Sequence, residues 1–198
     1  MSLRKNRLIR GLFFSWRQCF GCPTRKFGYL VNGATFTPPT IITNSRNVFI
    51  HAATDFEGCH ISALHAKFII KKGCAVGEGL TVHTGNHARI VGKYVAEITE
   101  TEKPDGYDKD IIIEEDVWIG SNVTLLAGVT VGRGATIAAG SVVTKPMSPY
   151  CVCGGVPARF IKFYWSIDQI IEHEKHLYPE KERLSREYLE KIFAEHNK

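Results

Sequence analysis

The sequence contains no long hydrophobic segment. Apolar runs such as Leu12-Phe13-Phe14 and Ile111-Ile112-Ile113 are far shorter than the roughly 20 residues that span a bilayer, and no cleavage-site pattern follows the basic start. These absences predict a soluble, cytoplasmic protein. The chain has 198 residues, of which 44% are hydrophobic, and this is enough for one domain with a substantial core.

The sequence also lacks a regular cysteine framework and a concentrated charge. The pair Cys19-x-x-Cys22 has no second pair to complete a structural zinc site, so we expect reduced thiols and no metal among the six cysteines. The net charge of +5 comes from scattered basic residues, apart from a cluster within the first ten. This distribution argues against nucleic-acid binding.

A six-residue repeat dominates the second half of the chain. In steps of six, one series of positions is aliphatic throughout: Ile113, Ile119, Leu125, Val131, Ile137 and Val143. Four residues after each of these lies a small or apolar residue: Val117, Val123, Val129, Ala135, Ser141 and Met147. A period of six fits neither a helix nor simple strand alternation but is typical of parallel β-helices. Glycines at 120, 128, 132, 134 and 140 suit the tight turns between their short strands.

The same phase occurs upstream, before an interruption. The earlier aliphatic positions are Leu64, Ile70, Val76 and Val82, with Phe68, Cys74 and Leu80 in the second series. Residues from about 88 to 110 have no six-residue pattern, so we interpret them as a loop extruded from the coil. The sequence therefore predicts a mainly β protein, with a β-helix domain over residues 23–163 that contains this loop.

The two ends predict helices. Ile9, Phe13, Trp16 and Phe20 are spaced as one face of an amphipathic helix within residues 1–22. Packing of this helix on the β-helix or on a neighbouring subunit is favoured over binding to a membrane surface. At the other end, Ser166 and Gln169 have the spacing of a capping box, and Pro179 separates two helical stretches within residues 164–198.

Several motifs in the repeat resemble those of the hexapeptide acyltransferases. They are Asp116-Val-Trp-Ile-Gly-Ser-Asn-Val, Gly128-Val-Thr-Val-Gly, Ala138-Ala-Gly-Ser-Val-Val-Thr-Lys145 and Gly154-Gly-Val-Pro-Ala-Arg159. Within this family the chain resembles the branch that contains the maltose, galactoside and nodulation acetyltransferases, the xenobiotic acetyltransferases and many polysaccharide O-acetyltransferases. This resemblance covers about residues 60 to 163. It implies a left-handed β-helix, acetyl-CoA as co-substrate, and a homotrimer with active sites between subunits.

His87 is the predicted catalytic base. It occurs in Thr84-Gly-Asn-His87, where the second repeat block ends and the loop begins, and the catalytic histidine of the family lies at this place in its equivalent motif. Imidazole titrates near neutral pH, which suits removal of a proton from an attacking hydroxyl. No cysteine or serine lies in a G-x-S-x-G elbow, so we expect direct transfer without a covalent intermediate. The alternative is that His87 is an ordinary surface histidine.

The resemblance also implies a coenzyme-binding set. Ser121, Ala139 and Thr144 occupy the positions that contact the pantetheine arm, and Trp118 and Gly120 flank it. Lys145, Arg159 and Lys162 are similar to the basic groups near the coenzyme phosphates. The small residues could equally be needed only for the turns of the coil, and each basic residue could be only a solvated charge.

The acceptor is less well determined by the sequence. Sugar-acetylating relatives often have an acidic residue where this chain has Ala63-Leu-His65-Ala66. Asp55, Glu57 and Glu78 are the carboxylates that we consider near the base, and Asn86 is a possible acceptor contact. We favour a sugar hydroxyl as acceptor, with an antibiotic alcohol or an amino sugar as the alternative.

Two other classes of function remain open. His65 and His83 are 18 residues apart, the length of one three-strand coil, so they are expected to stack, and His60 precedes His65 by five. The β-helical γ-carbonic anhydrases bind zinc through three histidines, two of them five residues apart. The third class is a β-helix scaffold without activity. The motifs that resemble coenzyme-binding sequences favour the acyltransferase over both.

Overall fold

The computed structural model describes residues 26–196 and, nearer the N terminus, residues 8–9, 11–12 and 15–16. These six N-terminal residues have helical backbone. The rest of the helix predicted within residues 1–22, together with the Cys19-x-x-Cys22 pair, lies outside the described residues. In the described part of the chain, no helix is both long and apolar enough to cross a membrane.

Residues 29–155 form a parallel coil whose turns each supply one strand to three faces. Sheet 1 consists of β1 (Tyr29–Leu30), β4 (Val48–Ile50), β7 (Phe68–Ile70), β10 (Ile111–Ile113) and β13 (Thr130–Val131). Sheet 2 consists of β8 (Ala75–Val76), β11 (Trp118–Ile119), β14 (Thr136–Ile137), β16 (Cys151–Gly155) and β17 (Ala158–Phe163), and it is preceded by the pair β2 (Thr35–Thr37) and β5 (Asp55–Glu57). Sheet 3 consists of β3 (Ile41–Thr43), β6 (His60–Ser62), β9 (Thr81–His83), β12 (Thr124–Leu126) and β15 (Val142–Val143).

The left-handed β-helix predicted from the repeat is confirmed. In the later turns, Ile112 pairs with Thr130 and Thr124 with Val142, which is the 18-residue spacing of three hexads. All six members of the first aliphatic series, from Ile113 to Val143, are fully buried inside the coil. Alternate residues point outward, as a strand with a period of two requires. In these later turns, the aliphatic positions of the repeat are therefore the side chains that face the inside of the coil.

Two details predicted for the earlier turns are wrong. Val48 pairs with Phe68 and His60 with Thr81, so these turns are 20 and 21 residues long rather than 18. The additional residues lie at the corners, and they shift the phase of the pattern. Leu64 is consequently 53% exposed. His83 lies opposite Ser62, and the predicted stacking of His65 on His83 does not occur.

A long excursion leaves the coil between β9 and β10. Apart from a 3₁₀ turn at Val95–Glu97, its residues are irregular. The two legs meet where they join the coil, because the Lys109 amide donates to the Thr84 carbonyl at 2.9 Å. The Asp110 carboxylate accepts a hydrogen bond of 2.7 Å from the Lys67 amide. These contacts close the excursion at the point where it joins the coil.

Helices close the C-terminal end of the coil. After the antiparallel hairpin of β16 and β17 come α1 (Ile167–Leu177), a 3₁₀ turn at Glu180–Glu182, and α2 (Arg186–His196). Ser166 and Gln169 form the predicted capping box at the start of α1. Both helices pack on the last turns through a second apolar cluster of Tyr150, Ile170, Leu189 and Ile192.

Candidate active site

His87 lies in an exposed turn at the start of the excursion. Thr84 and Ala88 are buried on either side of it, and the Thr84 hydroxyl donates to the Ala66 carbonyl at 3.2 Å. Gly85, Asn86 and His87 between them are exposed. The coil therefore anchors both ends of the turn and leaves the imidazole accessible to a ligand.

A pocket opens beside this turn. It has a volume of about 210 Å³ and is lined by Asn86, Asp105, Gly106, Tyr107, Lys109 and Ala127. The side chain of Asn86 donates to the Tyr107 carbonyl at 3.5 Å, which joins the two legs of the excursion across the pocket. The lining combines a carboxylate, an amide, a phenol and an ammonium group. Such groups can hydrogen-bond to a ligand that carries hydroxyls.

Another corner of the coil contains three of the predicted coenzyme residues, Gly120, Ser121 and Ala139. Along the chain, this corner follows the strands of sheet 2 and precedes those of sheet 3. We call this corner the 2–3 edge; in the later turns it comprises residues 120–122 and 138–140. The Gly120 amide donates to the Ile137 carbonyl at 2.8 Å, and the Gly140 amide donates to the Ser121 carbonyl at 2.8 Å. A Cβ on Gly120 would lie 2.6 Å from the Ala139 nitrogen, so only glycine allows the turns to approach this closely.

Two further predicted residues lie on the outer face of sheet 2. Trp118 pairs with Thr136, Thr136 with Val152, and Val152 with Lys162, so Trp118 and Lys162 are in one row across the sheet. Trp118 is 57% exposed, and Lys162 is exposed as well. Arg159, also exposed, pairs with Gly154, which extends the 2–3 edge toward the C-terminal hairpin.

The structure does not bring all the predicted residues together within one chain. Thr144 and Lys145 follow β15 at the corner between sheet 3 and sheet 1, which we call the 3–1 edge, and the turn with His87 follows β9 at this same edge. Strands of sheet 3 separate the 3–1 edge from the 2–3 edge, and three residues of strand span about 10 Å. His87 and Ser121 therefore lie on different edges of the prism.

The carboxylates that we considered near the base are also at a distance from it. Asp55 and Glu57 belong to β5, and Glu78 follows β8, so all three precede sheet 3 while His87 follows it. The acid that does contact the turn is Asp108, whose Oδ1 accepts a hydrogen bond of 3.3 Å from the Asn86 amide. Sequence spacing could not identify it, because 22 residues of excursion separate the two partners.

The histidines of the rival zinc hypothesis are not grouped around one point. His60 and His83 meet edge to face with ring centroids 5.6 Å apart, while Nε2 of His65 lies 3.6 Å from Glu100 in the excursion. Burial lowers the pKa of His83, and the neighbouring His60 lowers it further. Within the described residues, no three His, Cys, Asp or Glu side chains are arranged to hold a metal ion.

Comparison with known proteins identifies the family. The protein-family model described as bacterial transferase hexapeptide (six repeats) matches residues 110–145. A probable macrolide acetyltransferase from Lysinibacillus sphaericus is 38% identical over 122 residues, which are 56% of this chain and 68% of that protein. The chain belongs to the hexapeptide acyltransferases.

Solved structures share the fold of this acyltransferase. A hexapeptide-repeat acetyltransferase from Vibrio cholerae, complexed with acetyl-CoA, superposes with a TM-score of 0.63 at 24% identity and covers 82% of this chain and 92% of its own. A maltose O-acetyltransferase from Clostridium difficile gives a TM-score of 0.59 at 23% identity, with coverage of 83% and 80%. At these identities the likeness shows the fold of the acyltransferase, and it does not identify the acceptor.

Proposed function

We propose that this acyltransferase transfers the acetyl group of acetyl-CoA to a hydroxyl of a sugar, with His87 as general base. The observation that carries the proposal is the position of His87, exposed on an anchored turn whose neighbour Asn86 lines a polar pocket. A pocket with amide, phenol, carboxylate and ammonium groups suits an acceptor with several hydroxyls.

The reaction needs one proton acceptor and no covalent enzyme intermediate. The imidazole of His87 takes the proton of the acceptor hydroxyl while its oxygen attacks the thioester carbonyl carbon. The C–S bond then breaks, and the proton passes to the leaving thiolate, which gives free CoA and the acetyl ester. Of the cysteines that the structure describes, all four are buried, and burial raises the pKa of Cys59 and of Cys74 to about 12. Cys59 and Cys74 are therefore poor nucleophiles at neutral pH. The hydrogen bond with Cys151 lowers the pKa of Cys153, but the Cys153 side chain is fully buried, so no ligand reaches it. These properties support direct transfer.

The chain has surfaces that fit the coenzyme. Small residues at the 2–3 edge leave backbone close to the surface, and Ala139 is exposed there. Arg159 and Lys162, at the C-terminal end of the same region, are exposed cations that could pair with phosphates. Thr144 and Lys145 are exposed at the 3–1 edge. The acetyl-CoA complex of the V. cholerae fold neighbour supports this choice of co-substrate.

We further propose that the active enzyme is a homotrimer with its sites between subunits. His87 and the residues of the 2–3 edge are on different edges of one chain, so one protomer does not bring them to a common point. Symmetric association of β-helices can place the 3–1 edge of one protomer against the 2–3 edge of its neighbour. Each site would then combine the base of one chain with coenzyme contacts of another.

A macrolide antibiotic is the second candidate acceptor. The relative that favours it is the probable macrolide acetyltransferase, which is 38% identical over 122 residues. An acceptor of this kind would offer a hydroxyl to the same base, so the mechanism would not change. The two candidates differ in what the pocket must contact, since a macrolide ring presents far more apolar surface than a free sugar.

The experiment that tests the proposal supplies acetyl-CoA with a panel of free sugars, amino sugars, serine and macrolides. Release of free thiol reports turnover, and mass spectrometry of each acceptor reports the acetyl ester or amide. Acetylation of a sugar hydroxyl supports the first candidate, and acetylation of a macrolide alone supports the second. Coenzyme that neither binds nor turns over with any acceptor would overturn both.

A further inference from the structure

The turn that carries His87 is held by one acid from the far end of the excursion. The Asp108 Oδ1 accepts the hydrogen bond of 3.3 Å from the Asn86 amide. A Cβ on Gly85 would lie 2.5 Å from the same oxygen, so the carboxylate also packs directly against the preceding residue. Asp108 therefore contacts the two residues that immediately precede the proposed base.

Asp108 is itself fixed by Lys103. The Lys103 Nζ lies 2.8 Å from Oδ1 and 2.7 Å from Oδ2 of Asp108. The two side chains are 10% and 18% exposed, which is much less than for the Lys93–Glu102 and His65–Glu100 pairs of the excursion. The hydrogen bond with Asp108 raises the pKa of Lys103, so the ammonium stays charged at neutral pH. A shielded pair of this kind restricts side-chain motion more than an exposed one does.

The same pair shapes the pocket. Lys103 and Asp108 bracket Asp105, Gly106 and Tyr107, which supply three of the pocket-lining residues. Their contact draws the ends of this short segment together at the mouth of the excursion. The Lys103–Asp108 ion pair thus connects the wall of the pocket with the turn that carries His87.

We propose that Asp108, fixed by Lys103, is a positioning residue that holds His87 in register with the acceptor pocket. This inference rests on the proposed role of His87 as base. Asp108 acts through the turn and needs no contact with the reacting atoms. Displacement of a catalytic group by about 1 Å can reduce turnover about 100-fold, so the position of this turn matters for rate.

The test compares Asp108→Ala and Asp108→Asn with the wild type, using the acceptor that gives the highest turnover in the panel. We expect Asp108→Ala to lower kcat about 100-fold. The KM for acetyl-CoA should be unchanged, because Asp108 contacts Gly85, Asn86 and Lys103, which are not proposed coenzyme residues. Asp108→Asn retains an oxygen for the Asn86 amide, so part of the activity should return. Glu97→Gln, an exposed acid of the same excursion, is the matched control and should retain wild-type kcat.

A double variant separates positioning from a general effect on the loop. If Asp108 acts through His87, adding Asp108→Ala to His87→Ala should cost no further activity. An equal loss in both backgrounds would overturn the inference, as would wild-type kcat in Asp108→Ala. Should Asp108→Ala not fold, the same comparisons with Asp108→Asn decide the matter. Wild-type turnover of His87→Ala alone would instead contradict the proposed function.

Discussion

Leu64 and Leu125 are both aliphatic members of the six-residue series, yet their surroundings are opposite. Leu125 is fully buried in β12, whereas Leu64 is 53% exposed at a corner between β6 and β7. The difference follows from the longer earlier turns, whose additional corner residues move Leu64 out of the interior. A period alone therefore identifies core residues only where the turn length is constant.

Truncation of these two leucines should have very different effects on stability. Leu125→Ala should lower the free energy of unfolding by about 2–5 kcal/mol, because it leaves a cavity in the coil. Leu64→Ala is the matched control and should change it by less than about 0.5 kcal/mol, since its side chain is mostly in water. Urea titration followed by circular dichroism measures both. Similar losses in the two variants would contradict the burial assigned to these positions.

The residues of the proposed site differ in how far the sequence could predict them. His87 could be predicted from its motif and from its place at the end of a repeat block. Asp108 was not, because its contact with the Asn86 amide depends on how an irregular excursion closes. Periodicity describes the coil, while contacts across a long loop have no counterpart in local spacing.

Two neighbouring polar residues attach α1 to the coil. His173 lies 2.9 Å from the Asp116 carboxylate, and the buried acid Glu174 makes several contacts. Glu174 is 1% exposed, accepts a hydrogen bond of 2.7 Å from the Tyr150 hydroxyl, and lies 3.1 Å from the Arg133 Nη1. It also accepts a hydrogen bond from the Leu184 amide at 3.0 Å. Burial raises the pKa of Tyr150, and the hydrogen bond with Glu174 raises it further. These contacts join α1 to the last turns of the coil and to the segment before α2.

Removal of this acid should weaken the C-terminal end of the molecule. Glu174→Ala removes one of the two carboxylates that pair with Arg133, since Glu115 stays 3.3 Å from its Nε, and it leaves the buried Tyr150 hydroxyl without its acceptor. A buried donor left without a partner costs about 1–3 kcal/mol. Denaturant unfolding measures this loss. Glu172→Gln, which changes an exposed acid on the same helix, is the control and should leave the midpoint nearly unchanged. A stable Glu174→Ala variant would show that the apolar cluster and the contact of His173 with Asp116 are sufficient to hold the helices.

The ends of α1 were predictable, but its docking was not. Ser166 and Gln169 have a local spacing that identifies the capping box, and the structure contains it. Local spacing does not identify Glu174 as buried, because its partners Tyr150 and Arg133 lie 24 and 41 residues earlier in the chain.

At the scale of the whole molecule, the β-helix separates the base from the proposed coenzyme contacts. His87 follows β9 at the 3–1 edge, while Ser121 and Ala139 lie at the 2–3 edge. The repeat predicted the coil. It could not predict this separation, because the edge at which a residue lies depends on the number of corner residues before it.

Mixed oligomers test the proposed sharing of sites. His87→Ala and Ala139→Trp should each be inactive, the first without its base and the second because the indole fills the coenzyme surface. Co-expression with two affinity tags yields mixed trimers, in each of which about one site in three would assemble from two intact halves. Recovered thiol release from the doubly tagged fraction supports sites between subunits. A doubly tagged trimer without activity would contradict them, and a monomeric mass by light scattering would contradict the trimer itself.

The role of His87 as base is tested by measuring turnover and coenzyme binding of His87→Ala on the same preparation. We expect kcat to fall about 100- to 10,000-fold, which is the usual contribution of a general base, while the Kd for acetyl-CoA by calorimetry stays at the wild-type value. Wild-type turnover in the variant would contradict the assignment of His87 as the base.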